Sequence, residues 1–169
     1  EKNFTKKNNL KYGAAVASGT DALIIALKSI GIKNGDEVIT VSNTAIPTVS
    51  AIKSVGAVPI FVDINIEYLM DVNSIKNKIT KKTKAIIPVH LYGKACEMDK
   101  ISKISKKYKL RVIEDCAQAQ GAKYKVRNVG SMGDLGCFSF YPTKILGCYA
   151  DGGFVSTNSY KIYKEIIKL

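Results

Sequence analysis

The chain has 169 residues, 46% of them hydrophobic and 24% charged, the make-up of a protein folded around a packed core rather than a disordered or fibrous one. Its longest apolar stretches, such as 22–27 and 85–89, fall far short of the ~20 residues that cross a bilayer, so no membrane partner is expected. The formal net charge of +12 comes from 26 cations, all lysines except Arg111 and Arg127; base and phosphate recognition favours arginine's planar fork, so no nucleic-acid partner is expected either. The cysteines Cys96, Cys116, Cys137 and Cys148 form no CxxC pair and there is a single histidine, which excludes a zinc set and leaves no metal expected. With no apolar signal segment, the cysteines read as reduced thiols in a cytoplasmic protein.

Apolar, β-rich runs alternate with helical patterns along the chain. Residues 11–17 read as a strand, followed by Ser18 as N-cap of a helix over 21–30, in which Leu23, Ile24, Leu27 and Ile30 recur at helical spacing. Gly31 ends that helix. A second strand is predicted over 37–41, a second helix over 47–55, a third strand over 58–63 and a short helix over 72–79. Residues 84–90 form an almost wholly apolar strand. Met98, Ile101, Ile104 and Tyr108 then mark an amphipathic helix, with the lysines of 100–109 on its wet side. A strand over 110–114 follows, then short strands over 135–140 and 153–157 among glycine-rich turns, and a helical pattern over 160–169 without a stop signal. The order strand, helix, strand requires crossover connections, so the fold class is α/β, a mostly parallel sheet with helices on both faces. The chain opens on Glu1 and closes inside a helical pattern, and is expected to be cut from something longer.

Ligands of open parallel sheets bind beyond the carboxyl ends of the strands. Ser18-Gly19-Thr20-Asp21 joins a strand to a helix there; it reads either as a plain N-cap or as a phosphate cradle of free amides at a helix start. Neither GxGxxG nor a P-loop is present. Asp115 ends an apolar strand beside Glu114, as a surface cap or as an acid facing a ligand. Lys144, in Phe138-Ser-Phe-Tyr-Pro-Thr-Lys-Ile-Leu-Gly147, has the least solvated local sequence of the 24 lysines. It is either a desolvated nucleophile or a stem lying over apolar surface. His90 could serve as a base, but a Ser-His-Asp hydrolase needs a GxSxG elbow, which is absent. A structural or substrate-contacting role is the expected one.

A phosphate cradle, an acid at a strand end and a later lysine are together the parts that hold pyridoxal phosphate. Seven runs, Ala17-Ser-Gly-Thr-Asp-Ala-Leu23, Gly35-Asp-Glu-Val-Ile-Thr40, Ile87-Pro-Val-His-Leu-Tyr-Gly93, Val112-Ile-Glu-Asp-Cys-Ala-Gln118, Gly130-Ser-Met-Gly-Asp134, Phe138-Ser-Phe-Tyr-Pro-Thr-Lys144 and Asp151-Gly-Gly153, resemble in order the DegT/DnrJ/EryC1/StrS sugar aminotransferase family. The resemblance implies a fold-type I enzyme dependent on pyridoxal phosphate. Lys144 matches the lysine that holds the cofactor as a Schiff base, Asp115 the acid paired with the ring nitrogen, Gln118 the side chain near the ring hydroxyl and Ala117 the small residue under the ring. Gly19, Thr20 and Ser139 match phosphate contacts, with His90 and Tyr141 toward the substrate. Where many members place a stacking aromatic residue, this chain reads Ser42-Asn-Thr-Ala45.

The implied reaction moves an amino group from glutamate to a nucleotide-linked keto-sugar, for polysaccharide, glycan or antibiotic biosynthesis. A homodimer with shared active sites is implied as well. Residues 1–169 correspond to the large cofactor-binding domain, without the family's N-terminal helix and smaller C-terminal domain, so the isolated piece is expected to be inactive. Two alternatives remain: a sugar dehydratase of the same family, which carries histidine where this chain has Lys144, and a non-catalytic regulator that keeps the fold.

Overall fold

Successive residues of a strand point to opposite faces of a sheet, and here both faces are apolar. Val38, Ala85 and Ile113 belong to one core, while their immediate neighbours Ile39, Ile86 and Val112 belong to another. A computed structural model describes residues 1–169 and shows what covers each face. In chain order the elements are α1 (Lys2–Lys7), β1 (Tyr12–Val16), α2 (Gly19–Ser29), β2 (Glu37–Val41), α3 (Ile46–Ser54), β3 (Val58–Val62), α4 (Val72–Ile75), β4 (Thr83–Ile86), α5 (Met98–Tyr108), β5 (Arg111–Asp115), β6 (Lys123–Tyr124), β7 (Arg127–Asn128), β8 (Leu135–Ser139), β9 (Gly153–Thr157) and α6 (Tyr160–Lys168).

Seven strands form one sheet in the order β1-β9-β8-β5-β4-β2-β3. Only β9 runs against its neighbours; β8, β5, β4, β2 and β3 pair in parallel. Ala22, Leu23, Ala26 and Leu27 of α2, Ala51 and Ile52 of α3, and Ile162 and Ile166 of α6 pack on one face. Val72 and Ile75 of α4 and Met98, Ile101 and Ile104 of α5 pack on the other. The fold is the expected α/β type, and no helix is long and apolar enough to cross a membrane.

Three local differences from the sequence reading have physical causes. The strand expected over 84–90 pairs regularly only over Thr83–Ile86, because Pro88 has no N–H to donate to a ladder; beyond it a single bridge joins Val89 to Asp115. The helix expected over 72–79 is α-helical only over Val72–Ile75 and tightens into a 3₁₀ turn over Lys76–Lys78. Helix α1 has no apolar periodicity to announce it, since its one large apolar side chain is Phe4 in a lysine-rich segment. That ring packs at 5.0, 5.3 and 4.7 Å on Phe138, Phe140 and Phe154.

Because β9 runs backwards, its first residue meets the last residues of its neighbours: Gly153 pairs with Val16 of β1 and with Ser139 of β8. The start of α2 presses on it. A Cβ on Gly153 would stand 2.2 Å from the Ser18 carbonyl oxygen, a backbone atom that cannot swing aside. Gly153→Ala is therefore expected to cost about 1–3 kcal/mol by overpacking, read as a melting temperature several degrees lower. An unchanged melt would show that the α2 start yields freely.

Candidate active site

Asp115 closes β5, and its side chain is 4% exposed at the wall of a cavity beyond the strand ends. Oδ1 accepts the Ala117 N–H at 3.1 Å and Oδ2 accepts the Thr48 hydroxyl at 2.8 Å. No Lys or Arg side chain pairs with it directly. Burial pushes the carboxyl above its usual range, against the Ala117 and Thr48 bonds that favour the ion. The carboxylate thus faces the cavity with room for a cationic partner.

Opposite it lies the start of α2. Ser18 sits in extended conformation as the N-cap; its hydroxyl accepts the Asp21 N–H at 3.1 Å and donates to the Asp21 carboxylate at 2.8 Å. The N-cap reading of this turn is the one the hydrogen bonds show. Ser18 is spent on the cap, which leaves the Gly19 and Thr20 N–H groups at the positive end of the helix dipole without intrahelical acceptors. Gly19 seats this turn against β8, since a Cβ there would come within 2.6 Å of the Ser139 Cβ.

Lys144 follows β8 in a turn closed by its own N–H bonding the Tyr141 carbonyl at 2.8 Å. The expected desolvation by its neighbours does not occur: Ile145 and Leu146 are 70% and 51% exposed, so they flank the lysine on a surface loop without enclosing it. Lys144 itself is half-buried and lines the cavity. This space of about 210 Å³ brings together Ser18, Gly19, Thr20, Asp115, Ala117, Ser139, Tyr141 and Lys144, with Ala45, Pro47 and Thr48 from the start of α3 and Asp151 from the loop before β9. A larger hollow of about 440 Å³ beside Lys109, Arg111 and Asp134, at the other end of β5, contains none of the candidate residues, and its Arg111 and Asp134 pair with each other at 2.8 Å.

Two expected residues do not reach the cavity. Gln118 does not line it; its carbonyl accepts the Gly93 N–H at 3.0 Å. His90 is fully buried behind β5, so a substrate contact is not its place in this structure. Its Nδ1 accepts the Cys96 N–H at 3.1 Å and its Nε2 meets Glu114 Oε2 at 2.9 Å. Burial works against a second proton on the ring and the Glu114 carboxylate works for it; the Cys96 N–H points its hydrogen at the Nδ1 lone pair, which keeps that nitrogen unprotonated and the ring neutral, with its proton on Nε2.

Glu114 also accepts the N–H groups of Gly130 (2.8 Å), Met132 (2.7 Å) and Gly133 (2.6 Å). His90, Glu114 and Cys116 stand within 4.8 Å, a spacing that suits metal ligands. Those four donors already occupy the carboxylate, and burial keeps the Cys116 thiol protonated. Thr48 is the side chain bonded to Asp115 that the sequence reading missed. The available signal was its helical spacing, on the same face as the apolar Ala51 and Ile52, all three of which are buried.

The model of the DegT/DnrJ/EryC1/StrS aminotransferase family matches residues 1–169. The chain belongs to this family. Among DegT/DnrJ/EryC1/StrS relatives, a dTDP-3-amino-3,4,6-trideoxy-alpha-D-glucose transaminase of Micromonospora megalomicea subsp. nigra is 45% identical over 170 residues, covering 100% of this chain and 46% of its own length. An aminotransferase from Psychrobacter cryohalolentis, solved by X-ray methods, superposes with a TM-score of 0.97 at 41% identity, over 99% of this chain and 42% of that one. The ntda protein of Bacillus subtilis, with bound cofactor pmp, superposes with a TM-score of 0.95 at 38% identity, over 99% of this chain and 38% of that one. The chain spans about half the length of the curated relatives it matches.

Proposed function

We propose that this chain is the large, cofactor-binding domain of a pyridoxal-phosphate-dependent aminotransferase that passes an amino group, from glutamate, to a nucleotide-linked keto-sugar. The observation that carries the reading is the convergence of Lys144, Asp115 and the first turn of α2 on one cavity. The donor set fits the cofactor. Asp115 is a buried carboxylate lacking a cationic side-chain partner, as a protonated ring nitrogen requires. Gly19 and Thr20 offer backbone amides and Ser139 a hydroxyl to a phosphate, and Ala117 leaves space beside Asp115.

Pyridoxal phosphate, when bound, supplies the electron sink that lets an amino group leave a donor and join a carbonyl carbon. Each residue has a separate task. Lys144 holds the cofactor covalently and, once released, accepts and returns a proton at Nζ. Asp115 keeps a proton on the ring nitrogen by opposing its charge. The α2 start and Ser139 would hold the phosphate end in the same cavity that Lys144 lines. Asp115→Asn preserves shape and removes charge; turnover is expected to fall ~10²–10³-fold with the fold intact by circular dichroism. Turnover within twofold of wild type would reduce Asp115 to a cap.

A second copy of the chain is proposed to complete the site. Ile46, Ile145 and Tyr149 stand 81%, 70% and 109% exposed, and Ile46 and Ile145 each adjoin in sequence a residue that lines the cavity, so apolar side chains lie open near the site. Sedimentation of the intact protein is expected to give a dimer, and a monomer at micromolar concentration would count against the shared site. The proposed product feeds the building of a surface polysaccharide, glycan or antibiotic, and the proposed compartment is the cytoplasm.

A further inference from the structure

A carboxylate buried as deeply as Asp115 is costly unless donors face it. The Ala117 N–H serves Oδ1 and the Thr48 hydroxyl serves Oδ2. Thr48 is itself 1% exposed, and its oxygen lies 2.7 Å from the Thr44 hydroxyl. An ionised carboxylate only accepts, so Thr48 gives its single proton to Asp115 and takes the Thr44 proton in return. The direction of the chain is thereby fixed, from Thr44 to Thr48 to Asp115, and hydrogen bonds aligned in this way strengthen one another. Thr48 stands in the first turn of α3, Thr44 in the loop before it, and Ala45 and Pro47 between them line the cavity. The same two hydroxyls therefore tie that wall of the cavity to the carboxylate.

We propose that Thr48, backed by Thr44, is a positioning residue for Asp115: the hydroxyl chain keeps the carboxylate ionised and turned to the cavity, where it meets a protonated ring nitrogen. The meeting with the ring rests on the function proposed above; the hold on Asp115 does not.

Few other groups act on this carboxyl. Lys144 stands across the cavity and the neutral His90 imidazole behind β5, while the Cys116 and Cys137 thiols are held protonated by burial and Glu114 points to the other face with its own four donors. Burial raises the Asp115 carboxyl and the bonds from Ala117 and Thr48 pull it down. Without the Thr48 hydroxyl, Asp115 takes up its proton at a higher pH. Binding that depends on its charge is then lost earlier as the pH falls.

Two readouts in the intact protein test this. With the cofactor stripped, the Asp115 carboxyl is titrated by carbon NMR. Thr48→Val is expected to move the midpoint up, Thr44→Val to move it the same way by less, and Thr48→Ser to restore it. In equilibrium dialysis with pyridoxal phosphate, Thr48→Val is expected to weaken binding about tenfold at neutral pH, the worth of a hydrogen bond to a charged group, and to shift the acid limb of binding upward. Thr48→Ser should again stay near wild type. An unmoved titration in Thr48→Val, or Thr48→Ser behaving like Thr48→Val, overturns the proposal. If Thr48→Val does not fold, Thr44→Val and Thr48→Ser decide. A wild-type protein that binds no pyridoxal phosphate, while the titrations move as described, would overturn the proposed function and uphold the hydroxyl chain.

Discussion

Replacing Lys144 by alanine is expected to abolish amino transfer, by about 10⁴-fold or more, as removal of a covalent catalytic group commonly does. Of the 24 lysines in the sequence, Lys144 alone lines the cavity that holds Asp115 and the α2 start, so no neighbouring amine can take its place. Its side chain is in none of the ion pairs of the structure, and the variant should melt like wild type. The measurement is made on the intact protein: pyridoxal phosphate is added, the mixture reduced with borohydride, and the digest weighed. Wild type should carry one adduct, on the peptide containing Lys144, and the variant none. An adduct of equal yield on another lysine would move the covalent role away from residue 144.

The parts of the fold that were legible in the sequence are those set by short-range rules. Ser18 as N-cap, the strands Glu37–Val41 and Gly153–Thr157, and the helix Met98–Tyr108 follow from capping chemistry and apolar periodicity. The order of strands and crossovers then placed Asp115 and Ser139 at the correct end of the sheet. What escaped depends on contacts distant in sequence. Phe4 anchors α1 only because Phe138, Phe140 and Phe154 converge on it. Thr48 reaches Asp115 across 67 positions of sequence. The apolar neighbours of Lys144 leave an enclosed amine and a stem over apolar surface equally open, because exposure on a loop is decided by what packs over it.

Glu114→Gln is expected to destabilise the fold more than any other single change discussed. The Glu114 carboxylate is fully buried, and each oxygen takes two donors: Met132 and Gly133 N–H at Oε1, His90 Nε2–H and Gly130 N–H at Oε2. An amide must place its NH₂ where one of these oxygens was, so two of the four donors would face hydrogens instead of lone pairs. Breaking a buried charged network in this way costs about 3–5 kcal/mol, a fall in melting temperature on the order of 10 °C at this chain length. The damage would spread toward the site, because the carboxylate pins the turn at 130–133 that leads into β8, and β8 ends at Ser139. His90→Asn removes a single donor from the carboxylate and leaves the Cys96 N–H without its acceptor, for a smaller loss of about 1–3 kcal/mol. Since His90 is sealed behind β5, this variant should melt lower while its KM for the proposed keto-sugar substrate stays near that of wild type. A His90→Asn protein that melts like wild type but binds the sugar more weakly would return the histidine to the substrate.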